Sequence, residues 1–275
     1  MKNRFNLPAT QVYLEFKTVM QSMASTANQL QPFDFNAMTR SVISYHKSYG
    51  SFNRAFYSVV DMQKGDFSWQ YGLSEALGGP SRDFSLVEFL ERLHPDYLHM
   101  FRFWAMAINE TAYAMSLGEE VDDYIYHIPL PLRREDQSYH WYTQHSFVLE
   151  RDAAGLYVTH INFYDYGGQW YPHNRSPFLP FVTNYNQPSP DMQIKMYAMA
   201  APRIREFFTH TEQLLLDWYI KGKPESDKLR MQPHTLNEHN SNIIKKITAI
   251  VLTDFKSARE AAIFLFEVKL WELKD

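Results

Sequence analysis

The chain has 275 residues, 45% of them hydrophobic and 21% charged, with a formal net charge of −4; this is the balance of a globular protein rather than a disordered one. It contains no cysteine, which removes disulfides, thiolate catalysis and Cys-based zinc sites and fits a reducing compartment. No apolar run reaches the roughly 20 residues of a membrane span, and the N-terminal stretch lacks the apolar region of a signal peptide, so a cytoplasmic location is expected. Aromatic residues make up 16%, enough for a large core or an apolar pocket.

In chain order, residues 9–30 carry Val12, Phe16, Val19, Met20 and Met23 at helical spacing, with Pro8 suited to a first turn. A second helix is expected over 34–48, capped by Asp34 and broken at Gly50. Together these form an N-terminal helical segment, residues 1–54. AFYSVVDM, the turn QKGD and FSWQYG then read as a hairpin. LGGP is a sharp turn, and residues 85–115 supply helices around a His94-Pro95-Asp96 break. Three strand-like runs follow between 121 and 166, separated by REDQS and RDAAG. Residues 167–190 hold two glycines and five prolines and read as a linker. From Asp191 onward every segment is helical in pattern. The expected fold class is α+β: an antiparallel five-stranded sheet with helices over 55–166, then an all-α C-terminal domain over 191–275.

Within the strands, Trp141, Thr143, His145 and Phe147 alternate onto one face and Tyr142, Gln144 and Ser146 onto the other, and either face fits a pocket. Trp69, Tyr71, Trp141, Gln144 and His145 are the candidate ligand-binding residues. His127, His145 and His160 lie on three candidate strands, but no short His spacing supports a metal site, and none is expected. Glu119, Glu120, Asp122 and Asp123 form an acidic cluster that reads as a solvated loop. There is no Gly-rich phosphate loop, Gly-x-Ser-x-Gly elbow or His-Glu-x-x-His, so no enzyme is expected.

The order strand, strand, helices, strand, strand, strand resembles a PAS domain over about 55–166. The resemblance rests on YSVVDMQKGDFSWQYGLSEALGGP, on SLVEFLERLHPDYL and on LRREDQSYHWYTQHSFVLERDAAG. It implies a sensor whose sheet wraps a small ligand or cofactor. Haem and flavin occur in the wider family, and no residue here selects either, so the cofactor stays unknown. The tail YDYGGQWY departs from the Asp-Ile-Thr-like ending of many PAS domains.

Further on, FTHTEQLLLDWYIKG has Leu214, Leu215, Trp218 and Tyr219 at helical spacing, with Thr211 available as cap and Gly222 as terminator. Gln232-Pro233-His234-Thr235 opens another helix with Thr235 as its expected N-cap and Leu236, Ile243 and Ile247 on its inner face. SAREAAIFLFEVKLWEL makes a final helix, either fully buried or a homodimer seam. Thr209, Glu212, Gly222-Lys223, Pro233-His234-Thr235-Leu236, His239, Asn242-Ile243 and Lys246 resemble, in register, a LuxR-type helix-turn-helix. PAS followed by this motif is a layout of one-component transcriptional regulators. The resemblance implies a homodimer that binds DNA, with Thr235, Asn237, Asn240 and Ser241 facing the groove and Arg230, Lys245 and Lys246 at phosphates. Three features run the other way. The stretch from Gly222 to Thr235 is about three residues short, nearly one helical turn. Glu238 stands where a basic residue is common. Residues 203–275 hold 12 basic against 11 acidic side chains, a weak surplus for DNA. The alternative is a degenerate regulator whose helix-turn-helix serves protein interaction or dimerisation.

Overall fold

The computed structural model describes residues 8–24, 55–79, 82–116, 124–151, 157–171, 179–184, 187–222 and 231–273. The expected helix at 34–48, the acidic cluster at 119–123 and Arg230 lie outside them.

Helix α1 (Ala9–Ala24) starts on Pro8, whose carbonyl accepts from the amides of Gln11 and Val12. Its expected apolar stripe is its buried face: Val12, Phe16, Met20 and Met23 face the core. Strands β1 (Phe56–Asp61) and β2 (Asp66–Tyr71) form the expected hairpin. Asp61 Oδ1 accepts from the amides of Gln63 and Lys64, and Gly65 takes the left-handed position at φ 65°. Two short helices follow, α2 (Leu73–Leu77) and α3 (Leu86–Arg92). A capping box of Ser85 and Glu88 starts α3. The chain then breaks at His94, whose Nδ1 accepts from the Asp96 amide and opens a single 3-10 turn at Pro95–Tyr97.

Helix α4 (Leu98–Ser116) is the axis of the molecule. It is buried on nearly every side from Leu98 to Asn109, as a helix apolar all round must be. Phe101 meets Phe16 of α1. On other faces Phe103 and His99 meet Phe207, and Trp104 meets Tyr197.

Strands β3 (Tyr124–Arg133), β4 (Tyr139–Arg151) and β5 (Tyr157–Gln169) make the expected meander. Two more strands, β6 (Phe181–Asn184) and β7 (Gln187–Pro188), come from the stretch expected to be a linker. The sheet is therefore seven-stranded and antiparallel, in the order β2-β1-β5-β4-β3-β6-β7, rather than five-stranded. The reason is local: Phe181–Asn184 is a proline-free tetrad between Pro180 and Pro188, long enough to pair with Tyr124–His127 at the sheet margin. β5 also runs past its expected end, through Gly167 and Gly168, with a bulge opposite Trp141. Pro129 and Pro131 sit in β3 beyond the reach of β6, on its unpaired side, where a missing N–H costs no ladder bond. The Pro131 carbonyl accepts from His94 N instead.

The C-terminal helices are α5 (Pro190–Glu206), α6 (His210–Lys221), α7 (Pro233–Val251) and α8 (Ala258–Glu267). Two caps differ from expectation. Thr209, not Thr211, caps α6 in a capping box with Glu212, because only Thr209 has a Glu three residues on. Gln232, not Thr235, is the N-cap of α7, because Pro233 at the first helical position fixes the start. Gly222 closes α6 in the left-handed conformation, as expected. Leu214 is 40% exposed, and Leu216 takes its expected place in the core. One continuous cluster of buried side chains runs from α1 and the sheet through α4 to α8.

Candidate functional site

The inner face of the sheet carries Tyr142, Gln144 and Ser146 of β4, and His160, Asn162 and Tyr164 of β5. They face Phe101, Ala105, Ile108 and Asn109 of α4 across a cavity of about 20 Å³. That is room for about one water, far below the roughly 300 Å³ at which drug-sized ligand pockets begin. The lining is an apolar shell around a polar island. Gln144 Nε2 donates to Asn162 Oδ1 at 2.9 Å, while Gln144 Oε1 is buried without a partner among the described residues. Such an atom costs about 1–3 kcal/mol unless something donates to it. His160 is wholly enclosed, and burial pushes its pKa down to about 3, so it is neutral at physiological pH.

The outer face is aromatic. Trp69 and Tyr71 stack at 6.3 Å, Tyr57 packs on Phe163 at 4.8 Å, and Phe163 stacks with His145 at 5.5 Å. His145 and His127 meet Nδ1 to Nδ1 at 2.8 Å, and His127 Nε2 lies 2.8 Å from Thr183 Oγ1 of β6. Phe147 and Phe181, at 37% and 38% exposed, continue the face toward solvent.

The five candidate ligand residues therefore do not converge. Gln144 alone points into the cavity. Trp69, Tyr71 and His145 lie on the outer face, and Trp141 lies near the end of β4 against Tyr97 at 5.4 Å. The three histidines part likewise, His127 and His145 outside and His160 inside. No group of three His, Asp or Glu side chains among the described residues is placed to hold a metal.

At the C-terminal end, the DNA-facing candidates also divide. Asn237, Ser241 and Lys245 are exposed at four-residue intervals on one face of α7, with Glu238 beside them. Thr235 is half-buried, its Oγ1 3.4 Å from His234 Nε2. Asn240 Oδ1 accepts from the Tyr219 hydroxyl at 2.8 Å. Lys246 is not at the surface at all. Its Nζ lies 2.6 Å from Glu212 Oε2, over the rings of Phe207 and Phe208, and its side chain is 9% exposed. The same Glu212 oxygen accepts from the Thr209 amide. This pair joins the start of α6 to α7, and it corrects the expectation that Lys246 meets phosphate. The spacing Thr209-x-x-Glu212 and the position of Lys246 were both visible in the sequence; their contact was not.

Behind these residues, α4 connects the two halves. Phe101, Ala105 and Asn109 line the cavity, while Trp104 Nε1 donates to the Ile250 carbonyl of α7 at 3.3 Å. Arg203 of α5 forms a bidentate pair with Glu110 of α4.

No family model and no curated protein matches the chain. Among solved structures, the N-terminal domain of a diguanylate cyclase with a PAS/PAC sensor from Marinobacter aquaeolei is similar at 20% identity, over 40% of this chain and 92% of that one, with a TM-score of 0.31. None of the described helices is long and apolar enough to cross a membrane.

Proposed function

We propose that the chain is a non-catalytic regulator in which a PAS-like sheet senses a small ligand or a partner and the C-terminal helices bind DNA as a homodimer. The observation that carries the reading is the placement of α4, which lines the polar cavity with one face and holds α5 and α7 with another. Whatever shifts the sheet against α4 acts on the helix that carries α7. The buried residues of α7 all lie in its second half, at Ile243, Lys246, Ile247, Ile250 and Val251. Its first half touches the core through Leu236 and turns Asn237 and Ser241 outward, with Lys245 one turn on along the same face. That is the end of a recognition helix that reaches base edges, and Asn suits adenine.

Fluorescence anisotropy of the full chain with genomic DNA fragments tests this. Binding is expected at about 50 mM salt and is expected to fall steeply by about 200 mM. Asn237→Ala with Lys245→Ala is expected to weaken it about tenfold or more. Absence of binding at low salt in the unaltered chain would sink the DNA-binding part. A specific observation favours a second reading. With Lys246 enclosed by Glu212 and with Glu238 exposed beside Asn237, the visible face of α7 offers Lys245 as its cation. A stable oligomer without DNA affinity would support an interaction module instead.

A further inference from the structure

Strand β6, between β3 and the two-residue edge strand β7, pairs with β3 over Tyr124–His127, and its side-chain contacts there centre on one residue. His127 stacks on Phe181 at 4.3 Å and 8°, bonds Thr183 through Nε2 and bonds His145 through Nδ1. Beyond His145 stands Asp165 of β5, its Oδ2 3.8 Å from His145 Nε2. These atoms form a chain across four strands. Its proton arrangement follows from the carboxylate at the end. Asp165 favours a proton on His145 Nε2, so a neutral His145 has a bare Nδ1. His127 Nδ1 must then donate, and its Nε2 must accept from the Thr183 hydroxyl.

We infer that His127 and His145 form a one-proton relay that latches β6 to the sheet. One extra proton is tolerated. The Nδ1 proton of His127 crosses to His145 Nδ1, which holds the charge and donates back, and the arriving proton enters His127 at Nε2, which then donates to Thr183, whose hydroxyl turns from donor to acceptor. Both hydrogen bonds of His127 survive with their direction reversed. A second proton does not fit, because two Nδ1–H groups would face each other at 2.8 Å. The latch opens there. Few charges oppose this: among the described residues, His127 faces the charge of His145, and His145 faces Asp165, while Phe163, Phe181 and Thr183 are neutral. The order of uptake agrees with burial. His127 is held down to about 4 by burial and by His145, whereas Asp165 partly offsets the burial of His145. What the latch controls is the entry to α5. β6 leads through β7 into that helix, the Ser189 amide bonds the Val182 carbonyl, and the Tyr197 hydroxyl bonds the Pro180 carbonyl. A charge arriving on the outer face near His145 thus changes the hydrogen-bond polarity at the edge that feeds the C-terminal helices.

Imidazole ¹H–¹⁵N spectra of the full chain between about pH 4 and 8 test the relay. At neutral pH, His127 is expected to carry its proton on Nδ1, and this tautomer is expected to switch to Nε2 as His145 charges. Asp165→Asn, a change at a 45% exposed side chain, is expected to move the first uptake to lower pH and to unfix the starting tautomer. His145→Phe is expected to abolish the switch. Hydrogen exchange of 181–184 is expected to speed up only with the second proton. Independent titration of the two rings, or a His127 tautomer unchanged in His145→Phe, overturns the relay. Exchange of β6 that ignores the second proton overturns the latch.

Discussion

Replacing Lys246 by Met removes the cation from a carboxylate that is 2% exposed. Met keeps most of the aliphatic stem between Phe207 and Phe208, so the packing loss is small. The loss is electrostatic: Glu212 keeps its bond from the Thr209 amide but has no countercharge. Breaking a buried pair in this way costs about 3–5 kcal/mol. The surviving amide bond places this case at about 3 kcal/mol, a large fraction of the roughly 5–15 kcal/mol that holds a domain together. Urea unfolding at neutral pH reads the change as a lower midpoint at constant slope. Adding Glu212→Gln, which still accepts from Thr209, removes the orphaned charge, so the double variant is expected to recover at least about 1 kcal/mol relative to Lys246→Met. Because the pair is enclosed, raising the salt to about 0.5 M should leave the cost unchanged. A loss below about 1 kcal/mol, or one that salt removes, would mean that the ammonium reaches solvent.

Three further outcomes are expected. His160 is held at about 3 in the fold against an ordinary value of 6.5, so the unfolded chain takes up a proton that the native chain refuses. Its contribution is complete above about 6.5 and is lost as pH falls, by about 2 kcal/mol at pH 5; His160→Gln should flatten that slope in urea titrations at the two pH values. Gly72→Ala should cost about 1–2 kcal/mol and more than Gly222→Ala: both glycines are left-handed, but a Cβ at Gly72 would stand 3.1 Å from the Ala55 carbonyl oxygen, whereas at Gly222 nothing among the described residues lies within 4 Å. Trp104→Phe removes the donor to the Ile250 carbonyl and should cost about 1–3 kcal/mol, read as a melting temperature lower by about 2–4 °C per kcal/mol for a chain of this size.

Local signals were legible in the sequence where one chemistry decides the outcome. The hairpin at 56–71, the His94 break, the apolar stripe of α1 and the stop at Gly222 follow from turn residues and periodicity alone. The inner face of β4 was not legible, because both faces mix aromatic and polar residues: Gln144 and Ser146 go inward and His145 outward, while Trp141, at the bulge, packs on Tyr97. Alternation gives two faces but not their direction. The linker reading failed for a related reason. Proline density over 167–190 argues against a central strand and says little about a four-residue strand at the margin. Lys246 misled because a lysine near polar helix residues resembles a surface charge, and only the fold brings Glu212, 34 positions away, to meet it.

Helix α4 carries a consequence for dissection of the molecule. A fragment ending at residue 171 would keep the first five strands and lose α5 to α8. Phe103, Trp104 and the carboxylate of Glu110 would then face water where Phe207, Tyr197 and Arg203 now stand. Such a fragment should be sticky and poorly folded rather than a freestanding module. The C-terminal helices are likewise not an exchangeable cassette: a grafted replacement would have to supply its own socket for the Trp104 indole.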